Sequence, residues 1–296
     1  MGQILAIKIV IAVLALTTIG YFFYTFRSGK ELITNLAKVK TIGCGFCANF
    51  FDTFGLGSFS TYFALRNLMG LMPDNKRYNG SLVIQAVLPT LIQSILFLQL
   101  VSIDLLTLSV ACTMIALGGI LSGYLARYVA RNTVTTVMLV TFILTLIIII
   151  LDQMDLLNIG GVAIQVRGHK LILLGVIMFA AGCLPAFGVG YYSLVLVAIF
   201  LLGLSPAVAY PIMTTASAVQ MPMTAAPMIK NRQYYALSTM LMMAAGCVAV
   251  LIAAPIISWI DVSYLKIVML LVLLYNILTL AQAKWRGVCV KPLTVE

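Results

Sequence analysis

The sequence predicts an all-α polytopic membrane protein built from two related halves, and three observations carry that prediction. Apolar residues make up 62% of the chain and charged residues only 9%, with a mean hydropathy of +1.12. That is more apolar surface than a soluble fold of 296 residues can bury, so lipid must cover it. Apolar runs of about 20 residues, the length that crosses a hydrocarbon core, recur throughout. Finally, a set of residues repeats at an offset of 133 positions, 187 against 54. Phe54-Gly55-Leu56-Gly57 returns as Phe187-Gly188-Val189-Gly190, Ser60 as Ser193, Gly70-Leu71 as Gly203-Leu204, Pro73 as Pro206 and Pro89 as Pro222. Duplicated halves with glycine-centred breaks are a transporter pattern.

Taken in order, residues 4–26 read as a retained first span. The run is too long for the apolar part of a signal peptide and no small-residue cleavage site follows it. Lys8 near its outer end is placed to snorkel to the interface. Further clear spans are 81–101, 104–126, 133–151, 206–229, 233–260 and 262–283. Residues 41–72 and 171–204 differ: each is too long for one ordinary span, barely long enough for two, and has the Phe-Gly-x-Gly break in its middle. The expected organisation is therefore an N-terminal span and cytoplasmic loop (1–40), a first repeat (41–151), an extracytoplasmic connector (152–170), a second repeat (171–285) and a cytoplasmic tail (286–296).

Charge decides how the two odd segments cross. If each enters and returns to one side as a re-entrant hairpin, with the amino terminus outside, 14 of the 18 Lys and Arg residues fall inside. Lys8, Arg167, Lys170 and Lys266 stay outside with Asp104, Asp152, Asp155 and Asp261. Single crossings reduce the split to 11 and 7. The positive-inside rule favours hairpins. A hairpin plus three spans gives an odd number of crossings, so the second repeat is expected to be inverted relative to the first. The net charge of +10 is then an orientation signal, and no nucleic-acid partner is expected.

The chemistry concentrates at the tips. Glycine opens the backbone and lets a ligand approach, and a helix restarts just after each Gly-x-Gly. The first turn of a helix carries unpaired N–H groups and the positive end of the dipole, so it receives anions without a Lys or Arg. Gly55, Gly57, Gly188 and Gly190 are the candidate tip residues, and Ser58, Ser60 and Ser193 add hydroxyl donors. Asp52, deep in an apolar segment, costs about 3 kcal/mol at mid-membrane on insertion scales, so a role is expected of it. It either carries a coupled proton or caps the tip N–H groups. Its counterpart is Pro185. The segments after the hairpins are polar and broken, with Pro89, Thr90 and Gln93 in one and Pro211, Thr214, Thr215, Ser217, Pro222 and Thr224 in the other. Gln85 and Gln220 are the candidate side-chain ligands there, with interhelical bonding as the plainer explanation. Met221-Pro222-Met223 reads as helix packing rather than a copper pair, and the Arg167, His169, Lys170 cluster as a solvated outer interface. No metal and no cofactor are expected.

At these tips the chain resembles the TauE/SafE family of sulfite exporters, the toluenesulfonate uptake permease group. The resemblance covers most of 41–285 and rests on Gly45-Phe46, on Phe51 through Ser58 and on Gly188-Val189-Gly190. Family members often carry a richer glycine cluster than the Gly-Leu-Gly-Ser and Gly-Val-Gly-Tyr seen here. The family implies transport of sulfite, sulfonates or related small anions across a prokaryotic cytoplasmic membrane. Expected partners are a small anion, a proton as candidate coupled ion, and the bilayer. Two other classes compete. Cys44, Cys47 and Cys183 could form a thiol–disulfide redox conduit, which their replacement would abolish. An intramembrane protease is weaker, because Asp52 has no aspartate partner in the membrane. The chain carries no Walker motif, and an enzyme is not expected.

Overall fold

The computed structural model describes residues 2–26, 33–54, 57–72, 74–98, 103–126, 128, 131–154, 163–256, 270–271, 274–279 and 281–282. The described chain is helical: α1 (Gly2–Thr25), α2 (Asn35–Thr53), α3 (Ser58–Met69), α4 (Asn75–Phe97), α5 (Leu105–Leu125), α6 (Arg131–Gln153), α7 (His169–Gly182), α8 (Tyr192–Leu201), α9 (Pro206–Lys230) and α10 (Ala236–Ile256). A single 3-10 turn, Pro185–Phe187, stands between α7 and α8. Among the described residues, five stretches are long and apolar enough to cross a membrane: Leu5–Thr25, Lys76–Phe97, Leu105–Leu125, His169–Phe187 and Ala236–Ile256. The protein is an all-α, multi-pass membrane protein. Helix α9 has the length for a span, but its Thr, Ser and Gln content and its prolines at 211, 222 and 227 keep it out of that set. Gly55, and most of the expected span 262–283, lie outside the described residues.

The repeat offset holds beyond the motifs. Shifted by 133 positions, α3, α4 and α5 fall within two residues of α8, α9 and α10 at each end. The repeated Gly-Leu pair has a structural cause. Gly70 and Gly203 end α3 and α8 with φ of +67° and +90°. Leu71 N–H then donates to Arg66 O at 3.1 Å and Leu204 N–H to Ile199 O at 3.2 Å. Each is the six-to-one bond of a Schellman cap, which needs a left-handed residue just past the helix.

Both odd segments fold back on themselves. Asn49 and Gly45 of α2 meet Tyr62 of α3, while Asp52 meets Ser58, so the two helices run antiparallel. In the second half Lys170 Nζ, at the start of α7, donates to Leu202 O at the end of α8 at 3.2 Å. The stretch 169–187 thus has the length of a span, yet the chain after it returns.

The halves interlock. Helix α2 packs on α10 and α7 packs on α5; α4 packs on α9 and on α10, and α9 on α5. Exchanging the halves leaves this pattern unchanged. The counterparts α4 and α9 run antiparallel where they touch: Ser94 bonds Thr215 at 3.2 Å, and Phe97 lies 6.4 Å from Tyr210 between ring centroids. By contrast α5 and α9 run in the same direction, Gly119 facing Gln220 and Gly123 facing Pro227. Glycines make the closest crossings. A Cβ on Gly118 would come 2.2 Å from Phe179 O, one on Gly182 2.3 Å from Ile115 O, and one on Gly45 2.7 Å from Met242 Cα.

The helix ends are tied at two edges. At one, Arg77 donates to Tyr234 O through Nε and Nη2 and lies over the Tyr235 ring, and Tyr235 OH accepts from Asp74 N–H. At the other, Asp104 caps α5 by accepting from Thr107 N–H at 2.8 Å. Arg167 grips both oxygens of Asp104, at 2.6 and 2.7 Å. Those hydrogen bonds from Arg167 hold the Asp104 carboxyl well below the usual carboxylate range.

Two predictions follow from these contacts. Gly118→Ala should lower the thermal stability of the purified protein by about 1–3 kcal/mol, because its new methyl meets backbone that cannot step aside. Gly43→Ala, with open space around it, should be neutral or mildly stabilising. Since the Asp104 carboxyl is depressed in the fold, its contribution is in place at neutral pH and fades as pH falls below about 4. A melting series from neutral to acid pH should show less acid sensitivity in Asp104→Asn. The pair is solvent-exposed, so the effect at neutral pH should be small.

Candidate functional site

Where the two breaks approach each other, a narrow pocket lies between them. Its walls are Gly57, Ser58 and Phe59 from the first half and Gly190, Tyr191 and Tyr192 from the second. These triplets are counterparts at the 133 offset. The remaining walls are Ala86 and Thr90 of α4, Ser217 and Met221 of α9, and Asp52. Since Ala86 is the midpoint of α4 and Ser217 lies near that of α9, the cavity sits halfway along the two long central helices.

The first tip is built around Asp52. Helix α2 ends at Thr53, and Gly57 takes φ +78° before α3 begins. One Asp52 oxygen accepts the Ser58 N–H, the first of α3, at 2.5 Å. The other accepts Gln93 Nε2 at 3.2 Å, and Gln93 also reaches Thr53 Oγ1. Asp52 therefore does what a capping carboxylate does at a helix start, although it is six residues upstream rather than adjacent. Both its oxygens meet N–H donors, which suits an acceptor-only carboxylate.

The second tip has no such residue. Pro185 opens the 3-10 turn, and Gly188 closes it with φ +77° while its N–H donates to Pro185 O at 2.9 Å. Helix α8 then starts at Tyr192. Its first N–H groups precede the i−4 ladder and have no partner within the helix; Val195 N–H is the first to bond back, to Tyr191 O at 2.9 Å. Tyr191 and Ser217 share a very short hydroxyl–hydroxyl bond. The Tyr192 hydroxyl has no hydrogen-bond partner of normal geometry among the described residues, and Tyr192 is only 7% exposed.

Of the residues singled out from sequence, Asp52, Gly57, Ser58 and Gly190 line the cavity. Gly55 and the Ser193 side chain lie outside what the structure describes. The others have different work. Ser60 Oγ donates to Gly57 O, and Ser60 O receives Asn276 Nδ2 at 2.8 Å. Gln85 is tied to Asn49 and to Leu82 O. Gly188 is pressed against Asn79, whose Oδ1 would lie 2.4 Å from an added Cβ. Gln220 Nε2 donates to Gly182 O at 2.8 Å, satisfying a carbonyl at the end of α7. Gln85 and Gln220 thus act as interhelical bonds in this structure. Sequence reasoning passed over Tyr191, Tyr192 and Asn49; the pair directly after Gly190, aligned with Ser58-Phe59, was the available signal for the tyrosines.

The thiols do not gather at this site. Cys44 is buried in α2, Cys47 is exposed, and Cys183 Sγ faces the Gly118 and Phe179 carbonyls; all three are free. No protein-family model, curated protein or solved structure matches the chain.

The site chemistry comprises hydroxyl donors, two helix starts and one carboxylate already engaged, with no basic side chain in its walls among the described residues. Asp52→Ala should strand the buried Ser58 N–H and lower stability by about 0.5–2 kcal/mol, whereas Asp52→Asn, which retains an acceptor, should cost less. Denaturation of the three proteins side by side checks this.

Proposed function

We propose that this chain is a secondary transporter of a small sulfur-containing anion, sulfite or an organosulfonate, in the cytoplasmic membrane of a prokaryote. Access alternates around the cavity between the two tips. The observation that carries the reading is that cavity: counterpart residues of two repeats supply facing walls halfway along the central helices, as in transporters with discontinuous helices. The antiparallel run of α4 and α9, against the parallel run of α5 and α9, supports inverted repeats. Single-crossing, parallel repeats would reverse both relations. The substrate class rests on the resemblance to the TauE/SafE family carried by Phe51 through Ser58 and Gly188 to Gly190. Orientation follows the basic residues, with the carboxyl terminus cytoplasmic.

A coupled proton is the open part of the mechanism, and Asp52 is its candidate carrier. Its bonding to Ser58 and Gln93 favours the cap. Reconstitution into liposomes tests both layers. Sulfite flux above that of empty vesicles is expected; its absence beside robust flux of another anion would remove sulfite as substrate. Under an imposed pH gradient, Asp52→Asn with unchanged pH dependence would leave Asp52 as a cap alone, whereas loss of the dependence would make it the proton carrier.

A further inference from the structure

We infer that the cavity takes a monoanion in preference to a dianion, held at the start of α8, because Asp52 already occupies the equivalent place at the start of α3. The inference rests on the anion reading above and specifies the charge of its substrate. Two helix starts reach one cavity, and each is worth a partial positive charge of about half a unit. At the first, the Asp52 carboxylate takes the Ser58 N–H directly. That tip therefore presents a net negative group to the cavity, not a vacant positive one. At the second, Pro185 stands where the carboxylate would be, and its side chain offers the first N–H groups of α8 no acceptor.

An independent feature points to the same spot. Tyr192 lines the cavity, and its buried hydroxyl has no hydrogen-bond partner of normal geometry among the described residues. A buried hydroxyl that donates to nothing carries a desolvation cost that an acceptor would remove. Its neighbours Tyr191 and Ser217 are bonded to each other, which leaves Tyr192 as the free donor. An oxyanion set against α8 would accept from Tyr192 and from the helix start together. Among the described residues the walls hold no Lys or Arg to balance a second negative charge, and the nearby Asp52 carboxylate would repel it. In a low-dielectric site that repulsion separates the two charge states by more than about tenfold in affinity.

Methanesulfonate and sulfate test the claim, since both are tetrahedral, have five heavy atoms and differ in charge. Binding to the full-length protein in detergent would be measured by calorimetry at one neutral pH and constant ionic strength. Methanesulfonate is expected to bind at least tenfold more tightly than sulfate. Tyr192→Phe should weaken methanesulfonate binding about tenfold, the loss of one hydrogen bond to a charged acceptor. Asp52→Asn should narrow the gap between the two anions by raising sulfate affinity. Equal affinity in the unmodified protein, or methanesulfonate binding untouched in Tyr192→Phe, would overturn the assignment. Binding of neither anion, with sulfite also silent, would overturn the anion reading on which it stands.

Discussion

A helix broken inside hydrocarbon exposes N–H and C=O groups that lipid cannot bond, and each must find a partner within the protein or its cargo. The two breaks set that demand, and much of the buried polar chemistry answers it. Asp52 takes the first N–H of α3, and Gln93 steadies Asp52 from α4. Tyr210 reaches across from α9 to the Phe54 carbonyl. On the opposite side Gln220 and Ser122 both donate to Gly182 O, where α7 ends. Polar residues scattered through apolar helices have these local reasons.

The same demand explains why the halves interlock. Each folded-back segment packs on the other half: α2 on α10, α7 on α5. Glycines at 45, 118 and 182 let backbones meet there, as small residues do where helices associate without a hydrophobic driving force. The consequence for the proposed alternating access is specific. Because each hairpin is packed on a helix of the other half, the units that move cannot be the two repeats as they lie in sequence. They must be groups that cross the repeat boundary, with α4 and α9 between them.

Much of this was legible in the sequence and some was not, for physical reasons. The Gly-Leu pairs were legible as part of the repeat, and the structure supplies their reason: each ends a helix with the left-handed residue that a Schellman cap needs. The hairpins were legible through charge, since lysine and arginine placement responds to the membrane as a whole. Asp52 stood out because an acid in an apolar run is costly wherever it lies. The roles of Gln85 and Gln220 were not legible. An amide can face a cavity or a neighbouring helix, and which it does depends on the register of helices far apart in sequence. Tyr191 and Tyr192 were hidden for a different reason. A tyrosine counts as apolar in any periodicity, yet here its hydroxyl is the part that matters.

The mismatch between Asp52 and Pro185 is where duplication ceases to mean symmetry. Two identical uncapped tips would present two positive ends to one cavity, and two capped tips would leave it nothing with which to hold an anion. One of each gives a site that is satisfied on one side and unsatisfied on the other. On the proposed reading its affinity derives from the start of α8 and from the Tyr192 hydroxyl, which has no partner among the described residues, rather than from a fixed cation. Such a site need not bind tightly: the charge beside it, on Asp52, opposes occupancy even as the free donors favour it. For a transporter that balance is useful, because a substrate held too well at the midpoint would not leave by either face.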